Sequence, residues 1–200
     1  MIFPALLPAQ NNFRPADNPQ TEIEKLEEIS KNTETVKSRF VQYKQLSVLE
    51  NTIESRGIFM FKKPGKVRWE YQSPYPYLIL MNKGRMTVKE EGKVQEFDTE
   101  SNRMFKEIND LMLSMLSGEI LNNPHFDTEI KENSEQILAV LTPRKKELKQ
   151  MMQSIEMYFN KNTYVITEIK IPEASGDYTR IVFKNRQNNI PLSESEFILQ

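Results

Sequence analysis

The sequence predicts a mostly β domain: one antiparallel sheet of about eleven strands, strongly curved or barrel-like, with a helix inserted part-way along it. Three observations carry this reading. From Ser38 onward apolar residues recur with a period of two or in short runs, the pattern of strands. Turn signals such as Lys63-Pro64-Gly65, Asn82-Lys83-Gly84 and Glu90-Glu91-Gly92 are only long enough to reverse the chain, so sequential strands are antiparallel neighbours. A sheet of that width accumulates twist until it curls or closes.

Residues 1–9 are apolar and are followed by polar Gln10-Asn11-Asn12, which resembles the end of a signal peptide without its basic start; Leu7 fits poorly as the small residue three before a cut after Ala9. The expectation is a signal-peptide remnant, from a late start codon or a truncated chain, and residues 1–20 together form a remnant plus a flexible lead-in marked by Arg14-Pro15 and Asn18-Pro19. Residues 21–200 form one domain. Thr21 and Glu24 make a capping-box pattern, and Ile23, Leu26 and Ile29 recur at helical spacing to about Asn32.

Strands follow at Phe40-Val41, Ile58 to Phe61, Val67/Trp69/Tyr71, Tyr77 to Met81, Met86/Val88 and Val94/Phe97, for which a meander is the simplest topology. The strand pattern then breaks. Ile108, Leu111, Met112 and Met115 fall at i, i+3, i+4 and i+7, one apolar stripe on a helix ended by Gly118 and stopped before Pro124. Strands resume at Phe126/Thr128/Ile130, Ile137 to Leu141, Ile155/Met157/Phe159, Val165 to Ile171 and Ile181/Phe183, with a helical turn over 145–152 and a strand-like end at Phe197-Ile198-Leu199.

Composition removes several function classes. With 27 Lys+Arg against 28 Asp+Glu there is no overall basic field for nucleic acid. The absence of cysteine removes thiolate catalysis, disulfides and zinc motifs, and the lone His125 cannot build a metal cage. The six glycines are scattered, with no phosphate-cradling spacing. Adjacent carboxylates such as Glu27-Glu28 and Glu90-Glu91 point apart on a helix or a strand, so they read as solvated charge. No catalytic residue, cofactor or metal ligand is assigned. The cluster Lys62, Lys63, Lys66 and Arg68 reads first as a solvated hairpin tip and second as a docking patch for an acidic partner.

Ten methionines are the unusual signal, and several lie near the helical segments. Met fills ordinary cores and also adapts to irregular apolar ligands. Val67, Trp69 and Tyr71 share one strand face, opposite Lys66, Arg68, Glu70 and Gln72, so the apolar face is the wall of a candidate trough and the Ile108 to Met115 stripe is its lid. The preceding strand is apolar on both faces, Ile58/Met60 against Phe59/Phe61, and parity leaves it unoriented.

The run Ser55-Arg56-Gly57-Ile58, continued by Phe59-Met60-Phe61-Lys62-Lys63-Pro64-Gly65-Lys66-Val67-Arg68-Trp69-Glu70-Tyr71, is similar to the N-terminal signature of the LolA family, the periplasmic carriers of outer-membrane lipoproteins. Phe40-Val41-Gln42, Pro74, Leu141-Thr142-Pro143, Gly176 to Phe183, Asn189 and Phe197 extend the resemblance over about residues 21–199. It implies an unclosed, half-barrel antiparallel sheet with a helical lid over an apolar cavity. It also implies a non-catalytic chaperone that shields the acyl chains of lipoproteins released from the inner membrane and hands them on at the outer membrane.

The partners implied are acylated lipoproteins, an ATP-driven release transporter and an outer-membrane receptor, with the shuttle a periplasmic monomer. Where the family carries a latching arginine before the turn proline, this chain has Lys63, a point charge without the bidentate fork. Parity sets Lys63, Phe61 and Phe59 on one side, which the resemblance makes the cavity side. A carrier of another lipid or glycolipid is the alternative from the same fold. A sensor or interaction domain of envelope-stress signalling ranks third, because such proteins carry a second C-terminal domain and this sequence ends at Gln200.

Overall fold

Alternating apolar residues build strands wherever turn residues reverse the chain, and twelve strands form one sheet among the described residues. The computed structural model describes residues 12–48, 51–99, 101 and 103–199, with the backbone only at 103–105 and 108. The apolar segment 1–9, read as a signal-peptide remnant, lies outside the described residues.

In chain order the elements are β1 (Arg14–Pro15), α1 (Pro19–Lys31), β2 (Thr35–Gln45), β3 (Ile53–Lys62), β4 (Lys66–Ser73), β5 (Tyr77–Asn82), β6 (Arg85–Glu90) and β7 (Lys93–Asp98). Then come α2 (Arg103–Ser117), β8 (Phe126–Glu132), β9 (Gln136–Pro143), α3 (Lys146–Met151), β10 (Ile155–Asn160), β11 (Ile166–Pro172) and β12 (Tyr178–Asn188). A single meander would set β8 beside β7. Instead the order is β1-β8-β9-β10-β11-β12-β2-β3-β4-β5-β6-β7, two meanders joined where β12 pairs with β2. The sheet is unclosed: β1 and β7 are its two edges.

The segment read as a lead-in, where described, packs against the sheet. Phe13 packs edge-on against Tyr158, the Ala16 N–H donates to the Ile130 carbonyl at 2.9 Å, and Arg14 pairs at 2.7 Å with buried Glu132, which Lys161 also bridges at 2.8 Å. Burying the Glu132 carboxylate requires these cationic partners, which is why the strap holds. Helix α1 also begins earlier than its capping-box pattern indicated. Asn18 is the N-cap and Pro19 opens the helix, because proline gives up an N–H that would be unsatisfied there.

The concave face carries two apolar clusters. Phe126, Ile130, Ile137, Leu141, Ile155, Met157 and Phe159 form one with Ile23 and Leu26 of α1; Val36, Phe40, Phe59, Phe61, Val67, Met81 and Met86 form the other. Helix α2 spans both, with Leu111 and Met115 on the first and Met112, Leu113 and Leu116 on the second. It stops at Gly118, whose φ of 80° is left-handed and open to glycine at little strain.

The two-sided strand β3 resolves here. Phe59 and Phe61 face the concave core, while Ile58 and Met60 pack outward under a C-terminal segment anchored by Leu192 and Phe197. Residues Glu194–Phe197 form a 3-10 turn, not the start of a strand, because Ser193 and Glu196 complete a capping box. That segment also takes up the basic cluster. Lys62 reaches Glu194 at 2.9 Å and the Leu192 carbonyl at 2.8 Å, Lys66 also bonds Glu194, and Arg68 bonds Glu70 and the Glu196 carbonyl. These hydrogen bonds from two lysines hold the Glu194 carboxyl down to about 2.

Candidate functional site

The floor of the site is an aromatic wall on β2, β3, β4 and β12. Register sets Phe59 opposite Trp69 and Phe40 opposite both Gly57 and Phe183. Phe40 meets Trp69 at 5.4 Å and Tyr71 at 5.1 Å between ring centroids, and Phe59 meets Trp69 at 5.2 Å and Phe183 at 5.9 Å. Tilted and edge-on pairs of this kind contribute about 0.5–1.5 kcal/mol each beyond their buried area, so the wall is stiff. Gly57 makes it possible, since a Cβ there would lie 2.7 Å from the Phe40 ring.

Between this wall and the underside of α2 lies an apolar pocket of about 60 Å³. Met112, Met115 and Leu116 roof it, Phe59, Trp69 and Phe183 floor it, Met157, Phe159 and Ile169 close one side, and Ile29, Thr33 and Val36 close the end beneath α1. Of the residues expected to line an acyl-chain cavity, Phe59, Trp69, Met112 and Met115 border this pocket. Phe61, Val67 and Tyr71 belong to the same wall but lie outside the pocket lining, and Leu111 packs on the neighbouring cluster. The side chain of Ile108 lies outside the described residues.

Lys63 does not reach the pocket. Its ammonium bonds the Lys31 carbonyl at the C-terminal end of α1 and the Glu34 carboxylate at 3.2 Å, a placement that also favours the negative end of the helix dipole. Asn189 reinforces the same corner, accepting from the Glu34 N–H at 2.7 Å and donating to the Asn32 carbonyl at 3.1 Å.

The sequence reading missed the far half of the pocket, although the alternation Ile155/Met157/Phe159 had already set those side chains on one face. It also missed Arg186. Ile181 and Phe183 are inward, so strict alternation sends residue 186 outward, but β12 shifts register between Lys184 and Gln187 and turns it in. A bulge has no reliable sequence signal.

Polar groups on the pocket wall are few. Thr33 Oγ1 donates to the Ile29 carbonyl at 2.7 Å and the Tyr164 hydroxyl accepts from Lys25 at 3.1 Å. The Trp69 Nε1 is buried on the side of the Tyr71 hydroxyl, which donates to Gln42 Oε1 at 2.8 Å. Burial pushes the Tyr71 phenol up to about 12. His125 is exposed at the start of β8, and no group of three metal-ligating side chains exists among the described residues.

The model of the family described as "Outer membrane lipoprotein carrier protein LolA" matches residues 31–200. The chain belongs to the LolA family. An outer-membrane lipoprotein carrier protein of Chromobacterium violaceum is 26% identical to this LolA-family chain over 146 residues, covering 72% of it and 67% of the relative. One of Methylococcus capsulatus is 27% identical over 150 residues, covering 72% and 66%. Among solved structures, a DUF1329 family protein of Desulfovibrio piger is 14% identical, covers 92% of this chain and 97% of its own, and superposes with a TM-score of 0.52. An uncharacterized conserved protein of Thermus thermophilus is 9% identical, covers 88% and 91%, and has a TM-score of 0.53. These two likenesses show the fold alone.

Proposed function

We propose that this LolA-family chain is a periplasmic carrier that binds the acyl chains of lipoproteins released from the inner membrane and delivers them to the outer membrane, without covalent chemistry. The observation that carries the reading is the apolar pocket roofed by the thioethers of Met112 and Met115. Each methylene buried there stabilises the complex by about 0.8 kcal/mol, and unbranched Met side chains re-pack around chains of differing shape. At about 60 Å³ the pocket is far smaller than the 300 Å³ or more that a bound organic molecule fills. Cargo therefore enters by displacing α2, which among the described residues shares no backbone hydrogen bond with the sheet, and release requires an acceptor that binds the same chains better.

Residues 21–200 act as one carrier unit in this reading, and Lys63 holds the C-terminal end of α1 as a latch. The partners are acylated lipoproteins, an ATP-driven transporter that releases them and a receptor at the outer membrane.

The test is release of a labelled triacylated lipoprotein from spheroplasts by the purified chain, followed by gel filtration. The expected result is co-elution in a stoichiometric complex that Trp69→Glu or Met112→Glu abolishes while circular dichroism stays unchanged. A wild-type chain that releases nothing and elutes empty refutes the carrier reading.

A further inference from the structure

The pocket that suits acyl chains also holds a cation. Arg186 lies on its wall among apolar side chains, and no aspartate or glutamate borders the pocket among the described residues. The Arg186 Nε donates to Asn188 Oδ1 at 2.8 Å, and among the described residues nothing accepts from its two terminal nitrogens. Those nitrogens are strong, forked donors suited to a two-oxygen acceptor. Arg186 is only partly buried, so its guanidinium keeps contact with water and remains open to an acidic partner, and this partial desolvation pulls it down to about 10.

The backbone brings the arginine there by a local irregularity. Lys184 pairs with Arg39 and Gln187 with Lys37, so β12 carries one residue more than β2 between those pairs. Asn185 takes a left-handed φ of 53°, and the parity of the strand flips: Phe183 and Arg186 both border the pocket. Ser38, buried opposite the bulge, stabilises it by donating to the Lys184 carbonyl at 3.0 Å. Bulges that re-aim a side chain gather beside binding sites. Removing the extra residue would turn Arg186 to solvent, where a guanidinium is cheaply hydrated.

We propose that Arg186 is a head-group subsite: the pocket takes an acyl chain whose polar end carries a negatively charged carboxylate or phosphate, and the guanidinium pairs with those oxygens. The inference rests on the acyl-binding reading above but names a further ligand class, a free anionic lipid, because the ester- and amide-linked chains of a lipoprotein carry no such charge.

Trp69 is the single tryptophan of the chain and borders the pocket, so its fluorescence reports occupancy directly. The full chain is titrated with palmitate, with 1-palmitoyl lysophosphatidate and with neutral 1-hexadecanol, the first two below their micellar concentrations and the alcohol below its solubility limit. The wild type is expected to bind at least one anionic ligand about tenfold or more tightly than hexadecanol, the scale of a hydrogen bond to a charged group. In Arg186→Met that ratio falls to within about twofold, the affinity for hexadecanol being retained. In Arg186→Lys, which keeps charge without the fork, part of it returns.

A gain confined to palmitate identifies the head as a carboxylate, and one confined to lysophosphatidate identifies a phosphate. Equal binding of neutral and anionic ligands by the wild type, or a ratio that survives in Arg186→Met, overturns the subsite while leaving the acyl-binding reading standing. If none of the three ligands changes the Trp69 signal or forms a complex in native mass spectrometry, the acyl-binding reading itself falls, and the subsite with it. Circular dichroism and thermal melting certify each variant as folded, and Arg186→Gln replaces Arg186→Met if the latter is not.

Discussion

Replacing Gly57 by alanine tests whether the aromatic wall is held at a glycine. A Cβ built at this position lies 1.9 Å from the Glu70 carbonyl oxygen and 2.7 Å from two atoms of the Phe40 ring. The carbonyl must withdraw by about 1.1 Å merely to leave the forbidden range, and it belongs to β4, which is paired on both sides. Forced overpacking costs about 1–3 kcal/mol and each weakened ladder bond about 1 kcal/mol. The reduced entropy of the unfolded chain returns about 0.4–1 kcal/mol. The balance is about 3 kcal/mol of lost stability, or a urea midpoint lower by about 1.5 M at a slope of about 2 kcal/mol/M. Urea titration followed by Trp69 fluorescence and by circular dichroism measures it. Gly92→Ala, at a φ of 78° with nothing within 4 Å of the added carbon, is the control for backbone strain alone. A Gly57→Ala midpoint within about 0.3 M of wild type, below about 0.6 kcal/mol, would show that β3 and β4 part freely and that the wall is not stiff.

Other substitutions probe separate parts of the molecule. Lys63→Arg adds a forked donor at the end of α1 and is expected to slow release of a fluorescent acyl cargo; equal off-rates remove the latch. Glu194 is ionised at lower pH when folded than its ordinary 4.5, so its contribution to stability is complete above that value and disappears as pH falls toward 2. Glu194→Gln should therefore lower the melting temperature at pH 7, with the difference from wild type vanishing between pH 4.5 and 2 and shrinking in high salt; a difference that persists at pH 2 refutes the ion-pair account. Phe197→Ala, at a side chain 1% exposed, should cost about 3 kcal/mol and open residues 189–199 to protease, and an unchanged digestion pattern would deny that segment its anchoring role.

Strand positions were legible because side-chain parity survives in sequence. Phe59, Phe61, Val67 and Trp69 share one apolar cluster, a grouping that alternation together with the family signature makes legible, whereas Lys63 at the strand end turns away to the end of α1. The stripe on α2 was legible for the same reason, at a period of 3.6. Order within the sheet was not, because the pairing of β12 with β2 joins residues more than a hundred positions apart and no local signal encodes it. The outer face of β3 is ambiguous in sequence because Ile58 and Met60 are covered by a C-terminal segment more than a hundred residues away. Capping boxes misled in one place and were overlooked in another: Thr21 lies inside α1, whereas Ser193 and Glu196 do cap a turn. Arg186 was invisible because a single extra residue reverses parity for everything after it.

The two free edges of the sheet bear on how the pocket can change size. In a closed barrel the number of strands and their stagger fix the bore, so widening it means breaking hydrogen bonds around the ring. Here β1 and β7 are not paired to one another, and the gap between them is bridged by helices rather than by a ladder. The curvature of the sheet is then a soft coordinate: small, shared changes in twist along twelve strands can spread the rims without losing a backbone bond. Resistance to that motion comes from the apolar contacts under α2 and, at the centre of the sheet, from the aromatic pairs on Phe40, Phe59 and Trp69. In the carrier proposed above, the rims could thereby spread to scale the receptacle to its contents while the aromatic floor keeps its form.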